Sequence, residues 1–465
     1  MAAEAITALG SLKETFVSWT WPPAVNLARS LVLGIFSGIE SGSLLIIDEA
    51  RCVKHAFGQS SFEKDGNKVD AKSVYTIPHV QIVVKRDSFW LRLLLFADIG
   101  FAEGFMLGDF ECNDLTSFFR LFIINKENLN NGMTALSTLS SMVSRLGRSS
   151  NTLANSLLNT AAHYDISNEM FAAFLSKDMT YSCPIWQPAS LDGTGDGVES
   201  LEDAQRTKLL RFIEGAKLKA TDHVLEIGTG WGSFAVEAVK RTGCRVTSIT
   251  LSRKQKELAE KRIKLDGLDH RIEIKFMDYR ELSAPTKPFD KIVSIEMIEA
   301  VGEAHLAQYF ACIQRLLKRN GGIAMFQCIT MPEAQHTADA KKREFIGQYI
   351  FPGGYLPSTT QLLNHISTQS KGTLTLERVE NIGGHYTKTL RLWRESFLLN
   401  FDDKIKPALL NGHPAMSEEA IEVFSRKWEY YFTYCEAGFF TKTLNDVIIT
   451  VSRPGALELT EEIPL

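Results

Sequence analysis

Apolar and polar residues alternate with two different periods in the second half of the chain. Short apolar runs typical of buried strands occupy residues 223–227, 245–250, 272–276, 289–295 and 323–328. Apolar positions that recur every three or four residues predict helices at 204–216, 232–242, 253–266, 304–317 and 359–367. Strands that alternate with helices predict a doubly wound α/β domain with a mostly parallel sheet. Ligands of such sheets bind beyond the carboxyl ends of the strands.

The first part of the chain has a mixed pattern. Residues 43–48 and 79–85 are predicted to be strands, 89–96 and 115–125 helices, and 60–72 a charged hairpin loop. We therefore predict four regions. They are a lead-in over 1–39, a small α+β domain over 40–125, a linker with a surface helix over 126–160, and the α/β domain over 161–465.

The strongest chemical signal follows the first strand of the α/β domain. It reads Glu226-Ile227-Gly228-Thr229-Gly230-Trp231-Gly232-Ser233. Alternating glycines let the backbone approach a ligand closely, and the next helix offers unpaired N–H groups. The acid would repel a pyrophosphate and suits a ligand with a cationic part, such as S-adenosylmethionine. The stretch therefore predicts a methyltransferase, and a tight turn that binds nothing is the alternative.

Two further strand ends carry polar residues suited to the same cofactor. Thr250, Leu251 and Ser252, with Gln255 one helical turn later, offer hydroxyls and an amide to a ribose. Asp278-Tyr279-Arg280 ends the third strand, where a methyltransferase sheet contacts adenine. A turn role for Asp278 is the alternative. Dinucleotide binding is disfavoured, because the chain lacks Gly-x-Gly-x-x-Gly with an acid about twenty residues later.

Composition narrows the function classes. The 465 residues carry a net charge of −4, so no basic field points to nucleic acid. Seven scattered cysteines without a C-x-x-C pair argue against zinc and against a disulfide scaffold, so we predict no metal and a reducing, cytoplasmic compartment. No secretory signal is visible, and the longest apolar runs are too short to span a bilayer. Residues 22–39 are mildly amphipathic. They predict a helix packed on its own domain or, as the less favoured alternative, a peripheral membrane contact.

Five more motifs, together with the glycine loop, resemble those of the cyclopropane-fatty-acyl-phospholipid synthases and mycolic-acid cyclopropane synthases. The motifs lie at residues 163–168, 179–183, 296–302, 349–354 and 430–439. Residues 100–110 are similar to the small N-terminal domain of the phospholipid-acting branch. The resemblance runs from about residue 160 to 454. Two of the motifs contain the sequences Glu-Ala-Val-Gly and Phe-Pro-Gly-Gly, and these are nearest to those of the eukaryotic, plant- or fungal-like members.

The resemblance implies a class I S-adenosylmethionine-dependent methyltransferase fold with a small N-terminal α+β domain. It also implies an activity, which is cyclopropanation of the cis double bond of unsaturated acyl chains in phospholipids at a membrane surface. Methyl transfer leaves a carbocation, and in the family a bound bicarbonate then removes a proton so that the ring closes. Tyr181 and Ser182 are expected at the rim of the cofactor site, and a homodimer through the small domain is a further implication.

Five residues are implied at the bicarbonate site. Glu299 would accept the bicarbonate O–H, and Tyr386 would donate its phenol O–H. Cys435 would contact the anion through its backbone N–H rather than act as a nucleophile, and Cys183 would lie at the pocket entrance. Gln327 stands where bacterial members have histidine, so it can bond bicarbonate but cannot carry a proton. Ordinary structural roles are the alternative for these residues. The family's substrate also needs an acyl-chain tunnel lined by apolar and aromatic side chains. Its candidates are Phe351, Trp393, Phe432 and Phe439, but an ordinary core role is favoured for each of them.

Three other functions stay open at this point. The carbocation could instead yield a methyl-branched or methylene chain, and sphingolipid methylation belongs to this group. A non-catalytic lipid-binding protein that keeps only the fold is the second alternative. A nucleic-acid methyltransferase is disfavoured, because no Asn-Pro-Pro-Tyr-like loop follows the fourth strand.

Overall fold

A four-stranded and a seven-stranded sheet organise the protein, as seen in a computed structural model. The structure describes residues 22–59, 77–129, 167–188, 199–283, 287–339 and 345–461. The predicted loop at 60–72, nearly all of the predicted linker at 126–160 and residues 163–166 of the first motif lie outside the described residues.

The strands and helices are as follows. The strands are β1 (Ser43–Asp48), β2 (Val53–Gly58), β3 (His79–Val84), β4 (Phe110–Cys112), β5 (His223–Ile227), β6 (Arg245–Thr250), β7 (Ile272–Phe276), β8 (Lys291–Ile295), β9 (Ile323–Thr330), β10 (Thr375–Asn381) and β11 (Asn445–Ser452). The helices are α1 (Pro22–Phe36), α2 (Ser88–Met106), α3 (Leu115–Ile124), α4 (Asn168–Phe174), α5 (Leu201–Gly215), α6 (Ser233–Thr242), α7 (Arg253–Leu265), α8 (Leu306–Leu316), α9 (Glu333–Asp339), α10 (Phe345–Tyr349), α11 (Thr359–Gln369), α12 (Gly384–Leu399), α13 (Lys406–Gly412) and α14 (Glu418–Phe440).

The chain divides into two compact units. The first comprises Met1–Asp165, Arg343–Ile350 and His413–Thr441, and the second comprises Ile166–Lys342, Phe351–Gly412 and Lys442–Leu465. Helices α10 and α14 therefore belong with the first unit, although the sequence analysis placed their residues in the α/β domain. The four predicted regions themselves stay a prediction.

The first unit is built on the sheet β2–β1–β3–β4, in which β1 runs parallel to β3 and the other pairs are antiparallel. Helix α14 packs on α2 and α3 through aromatic side chains. Phe101 of α2 lies 6.3 Å from the Tyr430 ring of α14, and Phe119 of α3 meets the same Tyr430 ring edge-on at 5.1 Å. These buried rings explain why a segment so late in the chain joins this unit, since apolar area removed from water drives the association.

Helix α1 packs on its own unit, as the sequence analysis favoured. Val25, Ala28, Val32 and Phe36 are buried at helical spacing, and α1 contacts α2. Leu27 lies on the opposite side, with 61% of its surface exposed. The amphipathic pattern is thus used mainly for internal packing.

A buried ion triad lies within the first unit. The Arg92 guanidinium donates from Nε to Asp109 at 3.0 Å, and one of its terminal nitrogens lies 3.5 Å from Glu103. The Tyr349 hydroxyl donates to the other oxygen of Glu103 at 2.9 Å. All three charged side chains are almost fully buried, so each depends on its partners for the interactions that water would otherwise supply.

The second unit carries the predicted α/β sheet. The strand order is β10–β11–β9–β8–β5–β6–β7, with β5 to β9 parallel and β11 antiparallel to both of its neighbours. The five predicted strands are confirmed within two residues at each end, and the five predicted helices within three. The parallel strands present their carboxyl ends at one edge of the sheet, where residues 226–233 and 296–299 follow β5 and β8.

No helix among the described residues has both the length and the apolar character needed to cross a bilayer.

Candidate active site

The glycine loop after β5 depends on its glycines. Gly228, Gly230 and Gly232 have φ angles of +100°, +52° and +86°, which favour residues without a side chain. A Cβ on Gly228 would lie 3.1 Å from the side chain of Met297, so a side chain there would press on the segment after β8. The loop is anchored from the other side, because the N–H groups of Gly228 and Thr229 both donate to the Ile249 carbonyl.

Glu226 lies beneath this loop rather than in the open. Its carboxylate accepts a hydrogen bond of 2.5 Å from Ser248, which is itself bonded to Thr229 at 2.7 Å. Burial raises the pKa of Glu226 to about 8, and the hydrogen bond from Ser248 and the charge of Lys208 act in the opposite direction. A cationic ligand in the loop would favour the ionised form. The role of Glu226 beside such a ligand stays a prediction.

The raised pKa of Glu226 has a consequence for stability. Because its ordinary value is 4.5, the folded protein binds more protons than the unfolded chain between about pH 5 and pH 8. The free energy of unfolding of the cofactor-free protein is expected to fall as pH rises through this window, by up to about 1.4 kcal/mol per pH unit for this group. Glu226→Gln should flatten that slope in urea titrations. The exposed-site variant Glu257→Gln should keep the wild-type slope, and parallel curves for all three proteins would contradict the assignment.

The other predicted cofactor residues occupy the ends of β6 and β7. The Thr250 hydroxyl donates to Gln255 at 3.2 Å, Ser252 caps α7, and Leu251 is exposed. Arg280 binds both oxygens of Asp278, which lowers the pKa of that carboxyl. Tyr279 packs edge-on against Tyr309 in the core, so its predicted place beside adenine stays a prediction.

The segment before α5 contributes the predicted rim. The Ser182 hydroxyl accepts from the fully buried Lys208 at 2.6 Å. The Tyr181 ring lies 5.1 Å from that of Trp393. Trp231 of the glycine loop donates from its indole nitrogen to Asn168, one of the two described residues of the first motif. The rim, the loop and the motif are therefore tied together within the second unit.

A cluster of polar side chains lies at the carboxyl end of β8 and centres on Glu296. The Tyr386 hydroxyl donates to Oε2 of Glu296 at 2.5 Å. The backbone N–H of Cys183 and the side-chain amide of Gln327 both donate to Oε1, each at 2.7 Å. Three of the residues predicted for the bicarbonate site are thus brought together, but around a carboxylate that the sequence analysis did not assign.

Asp446 and Lys208 are two further buried members of this cluster that sequence reasoning missed. Oδ2 of Asp446 accepts from Gln327 at 2.8 Å. Burial, the charge of Glu296 and a hydrogen bond with Glu296 raise the pKa of Asp446 well above its usual range. Burial lowers the pKa of Lys208, and the charge of Glu296 opposes this effect.

Glu299 lies one short turn beyond Glu296, in the 3₁₀ segment Ile298–Ala300. Its Oε1 accepts from the backbone N–H of Ile329 at 2.5 Å, and its buried Oε2 has no protein partner. Burial and the nearby charge of Glu296 raise the pKa of Glu299 to about 8. Glu299 as a whole keeps some exposed surface, but its Oε2 has almost none. This oxygen is therefore suited to bind a ligand or a proton.

The two predicted cysteines lie in different units. Cys183 is fully buried in the second unit, where burial raises the pKa of its thiol well above the usual range, and its contact to the cluster is the backbone N–H. Cys435 lies in the interior of α14, in the first unit. An N–H inside a helix bonds to the carbonyl four residues earlier. The backbone contact expected of Cys435 is therefore already used within the helix, and its place in the site stays a prediction.

The tunnel candidates are similarly divided. Trp393 is fully buried in the second unit, 5.9 Å from the Tyr386 ring, whereas Phe432 and Phe439 are buried in the first unit. Phe351 is partly exposed. Trp393, Phe432 and Phe439 are thus packed as core residues, as the sequence analysis favoured, whereas the exposed Phe351 is not.

The donors of this cluster do not fit a bound bicarbonate. The Tyr386 hydroxyl, the Cys183 N–H and the Gln327 amide are all directed to Glu296. The buried atoms of the cluster left without a partner are Glu299 Oε2, Gln327 Oε1 and Asp446 Oδ1, and all three are oxygens. A bicarbonate needs several donors, and the three donors of this cluster already serve Glu296, so they are not open to a dissolved anion.

Comparison with known proteins agrees with this fold. The family model described as mycolic acid cyclopropane synthetase matches residues 152–449. Tuberculostearic acid methyltransferase UfaA1 of Mycobacterium tuberculosis is 40% identical over 64% of this chain and 65% of its own length. Cyclopropane-fatty-acyl-phospholipid synthase of Escherichia coli is 31% identical over 80% of this chain and 87% of its own.

A solved structure shows the same architecture. Mycolic acid cyclopropane synthase CmaA1, crystallised with S-adenosylhomocysteine and a detergent abbreviated CTAB, aligns with a TM-score of 0.52 at 25% identity, covering 64% of this chain and 98% of that one. The fold and the glycine loop therefore define an S-adenosylmethionine-dependent C-methyltransferase with a Rossmann-like α/β domain. Within that class, the chain belongs to the mycolic acid cyclopropane synthetase family.

Proposed function

We propose that this protein methylates the cis double bond of unsaturated acyl chains in phospholipids at a membrane surface and converts it to a cyclopropane ring. The observation that carries the proposal is the partly buried cluster of Glu296, Glu299, Gln327 and Tyr386, on the same sheet edge as the glycine loop. An alkene is a poor nucleophile, so the reaction needs alignment with the methyl donor and a dry site more than it needs an activated side chain.

The charges of the site suit this chemistry. Attack of the double bond on the sulfonium methyl leaves a carbocation on the chain and S-adenosylhomocysteine as the leaving group. Carboxylates near the new cation would stabilise it electrostatically, and a base must take one proton. Burial makes a nucleophilic role of the Cys183 thiol unfavourable, since burial raises its pKa.

A membrane-peripheral, cytoplasmic location is part of the proposal. Leu27 and Leu31 lie one helical turn apart on α1, with 61% and 36% of their surfaces exposed. Exposed apolar side chains on an amphipathic helix can enter the headgroup region of a bilayer. A homodimer remains an implication of the family resemblance alone.

A methyl-branched or methylene product is the second candidate. It is favoured by the 40% identity to a relative named as a tuberculostearic acid methyltransferase. A fungal relative from Emericella nidulans is named sphingolipid C9-methyltransferase A, but its 30% identity covers only 58% of this chain. The polar cluster argues against a non-catalytic lipid-binding role, because buried carboxylates would destabilise a protein that did not use them.

Lipid mass spectrometry tests the proposal. The chain is expressed in a bacterial strain that lacks its own cyclopropane synthase, beside Glu299→Ala as the site variant and Glu257→Gln as the exposed-site control. We expect acyl chains that gain CH₂ and resist mild hydrogenation. The variant should lose this product about a hundredfold or more, while the control retains it.

Other outcomes have distinct meanings. A gain of CH₂ that takes up hydrogen would indicate a methylene chain, and a saturated chain with an added methyl group would indicate the branched product. Purified protein that binds S-adenosylmethionine but leaves phospholipid vesicles of dioleoylphosphatidylglycerol unmethylated would refute the phospholipid assignment.

A further inference from the structure

We propose that the carboxylate of Glu296 is the general base of this enzyme, in the place that a dissolved anion would otherwise take. The inference deepens the proposed function and rests on it. Removal of a proton from the transferred methyl is the step that commits the carbocation to product, so the position of the base determines whether the reaction completes.

The hydrogen bonds converging on Glu296 support the proposal. Its carboxylate receives one phenol O–H, one backbone N–H and one amide N–H, at 2.5, 2.7 and 2.7 Å. Three donors that converge on one carboxylate fix its orientation. The same three donors would be needed to hold a free anion, and Glu296 already engages each of them.

The position of Glu296 on the sheet agrees with this role. It directly follows β8, which lies beside β5 in the parallel sheet, and the glycine loop directly follows β5. Met297, the next residue, would lie within 3.1 Å of a side chain on Gly228. The carboxylate is therefore anchored next to the loop predicted to hold the methyl donor, at the edge where ligands of such sheets bind.

The backbone of Glu296 also distinguishes it. Its φ angle is +46°, in the left-handed region that costs a residue with a side chain about 1 kcal/mol relative to glycine. Glycine would adopt this conformation without strain. A strained backbone at the centre of a buried polar cluster indicates that the site uses the side chain, because the strain has no structural benefit of its own.

Glu299 is less suited to be the base. One of its oxygens is held by a single backbone N–H, and burial together with the charge of Glu296 raises its pKa to about 8. Near neutral pH it is therefore largely protonated and acts best as a neutral neighbour. Asp446, whose pKa is raised by burial and by the charge of Glu296, bonds to Glu296 and offers a partner that can share the proton after transfer.

The step balances in atoms and electrons. The π electrons of the double bond form the new carbon–carbon bond to the methyl, and the C–S pair stays on sulfur, which gives neutral S-adenosylhomocysteine. A lone pair of Glu296 takes a proton from that methyl, and the freed C–H pair closes the ring on the adjacent cationic carbon. Glu296 is left as the neutral acid and must release its proton before the next turnover.

Bicarbonate is the probe that tests this inference. Full-length wild-type protein and the variants Glu296→Gln, Glu296→Gly and Glu257→Gln are each saturated with S-adenosylhomocysteine. Binding of ¹³C-labelled bicarbonate is then measured by NMR. Methyl transfer from S-adenosylmethionine to dioleoylphosphatidylglycerol vesicles is measured in carbon-dioxide-depleted buffer, with and without added bicarbonate.

The expected results separate the variants. Wild-type protein and Glu257→Gln bind no bicarbonate and turn over equally well without it. Glu296→Gln keeps its affinity for S-adenosylhomocysteine but loses turnover by about a hundredfold or more. Glu296→Gly, which relieves the backbone strain and frees the three donors, binds bicarbonate and regains at least about tenfold in turnover when it is added.

Three results would overturn the inference. They are bicarbonate binding by the wild-type protein, loss of wild-type turnover in depleted buffer, and turnover by Glu296→Gln within about threefold of wild type. If the wild-type protein binds S-adenosylhomocysteine but methylates no lipid, the proposed function fails. The NMR measurement of bicarbonate binding then still decides whether Glu296 occupies the position that a bicarbonate ion would otherwise take. If Glu296→Gln does not bind S-adenosylhomocysteine, the test rests on Glu296→Gly and on whether added bicarbonate restores its turnover.

Discussion

Replacing Gly228 with alanine is expected to weaken binding of S-adenosylhomocysteine by about a hundredfold, which corresponds to roughly 2.7 kcal/mol. The new Cβ would lie 3.1 Å from the Met297 side chain at a φ angle of +100°. The loop must then move away from Met297 or change its backbone angles, and either shift disturbs the surface that approaches the cofactor. Calorimetric titration of the purified full-length variant measures the effect.

Gly267→Ala is the matched control for this substitution. Gly267 also has a positive φ, +68°, but a Cβ there would meet nothing within 4 Å, and it lies in the turn after α7 rather than in the glycine loop. It should show a similar loss of stability from backbone strain with an affinity near that of the wild type. Equal affinities for the two variants would show that the glycine loop does not form the cofactor site.

Replacing Arg92 with methionine is expected to destabilise the first unit by about 3–5 kcal/mol. Methionine fills a similar volume but removes the buried cation that Asp109 and Glu103 share, and leaves Asp109 only the longer contact of 3.7 Å to the exposed Arg86. Burial already raises the pKa of Asp109, and the charge of Arg92 is the largest influence that lowers it. Without Arg92 the ionised carboxylate is destabilised further. The variant should therefore lose less stability at acidic pH, where the carboxyl is protonated. Urea unfolding followed by tryptophan fluorescence measures the loss, since Trp90 and Trp428 both lie in this unit.

An exposed ion pair provides the comparison for Arg92. Arg206 lies 3.2 Å from Glu237 with more than half of its side chain in solvent, and Arg206→Ala should cost less than about 1 kcal/mol. A similar loss in both variants would mean that the triad contributes no more than a surface pair.

The sequence predicted the α/β sheet because its pattern is local. Each predicted strand and helix of the second unit has its own period within a dozen or so residues, and parallel strands with buried faces are continuous apolar runs. The antiparallel strand β10 was missed because most of its residues are exposed, so it shows no clean alternation. The same local reasoning identified the glycine loop, whose residues are consecutive.

The centre of the polar cluster could not be predicted in this way. Glu296 is defined by Tyr386, 90 residues later, and by Cys183, 113 residues earlier, and no local pattern reports which side chains meet across the sheet. The one available signal was the acid that directly follows an apolar strand, three positions before Glu299. Cys435 illustrates the converse, since its motif lies in sequence order with the others but folds into the first unit.

The left-handed backbone at Glu296 has an evolutionary consequence. Glutamate and glycine codons differ by one nucleotide, and glycine is the residue that this backbone angle accepts without strain. A single mutation therefore separates a site that carries its own base from one that is open to dissolved inorganic carbon. An organism could pass between the two by changing one codon, and only the version that relies on a dissolved anion would tie the rate of lipid modification to the carbon dioxide of its surroundings.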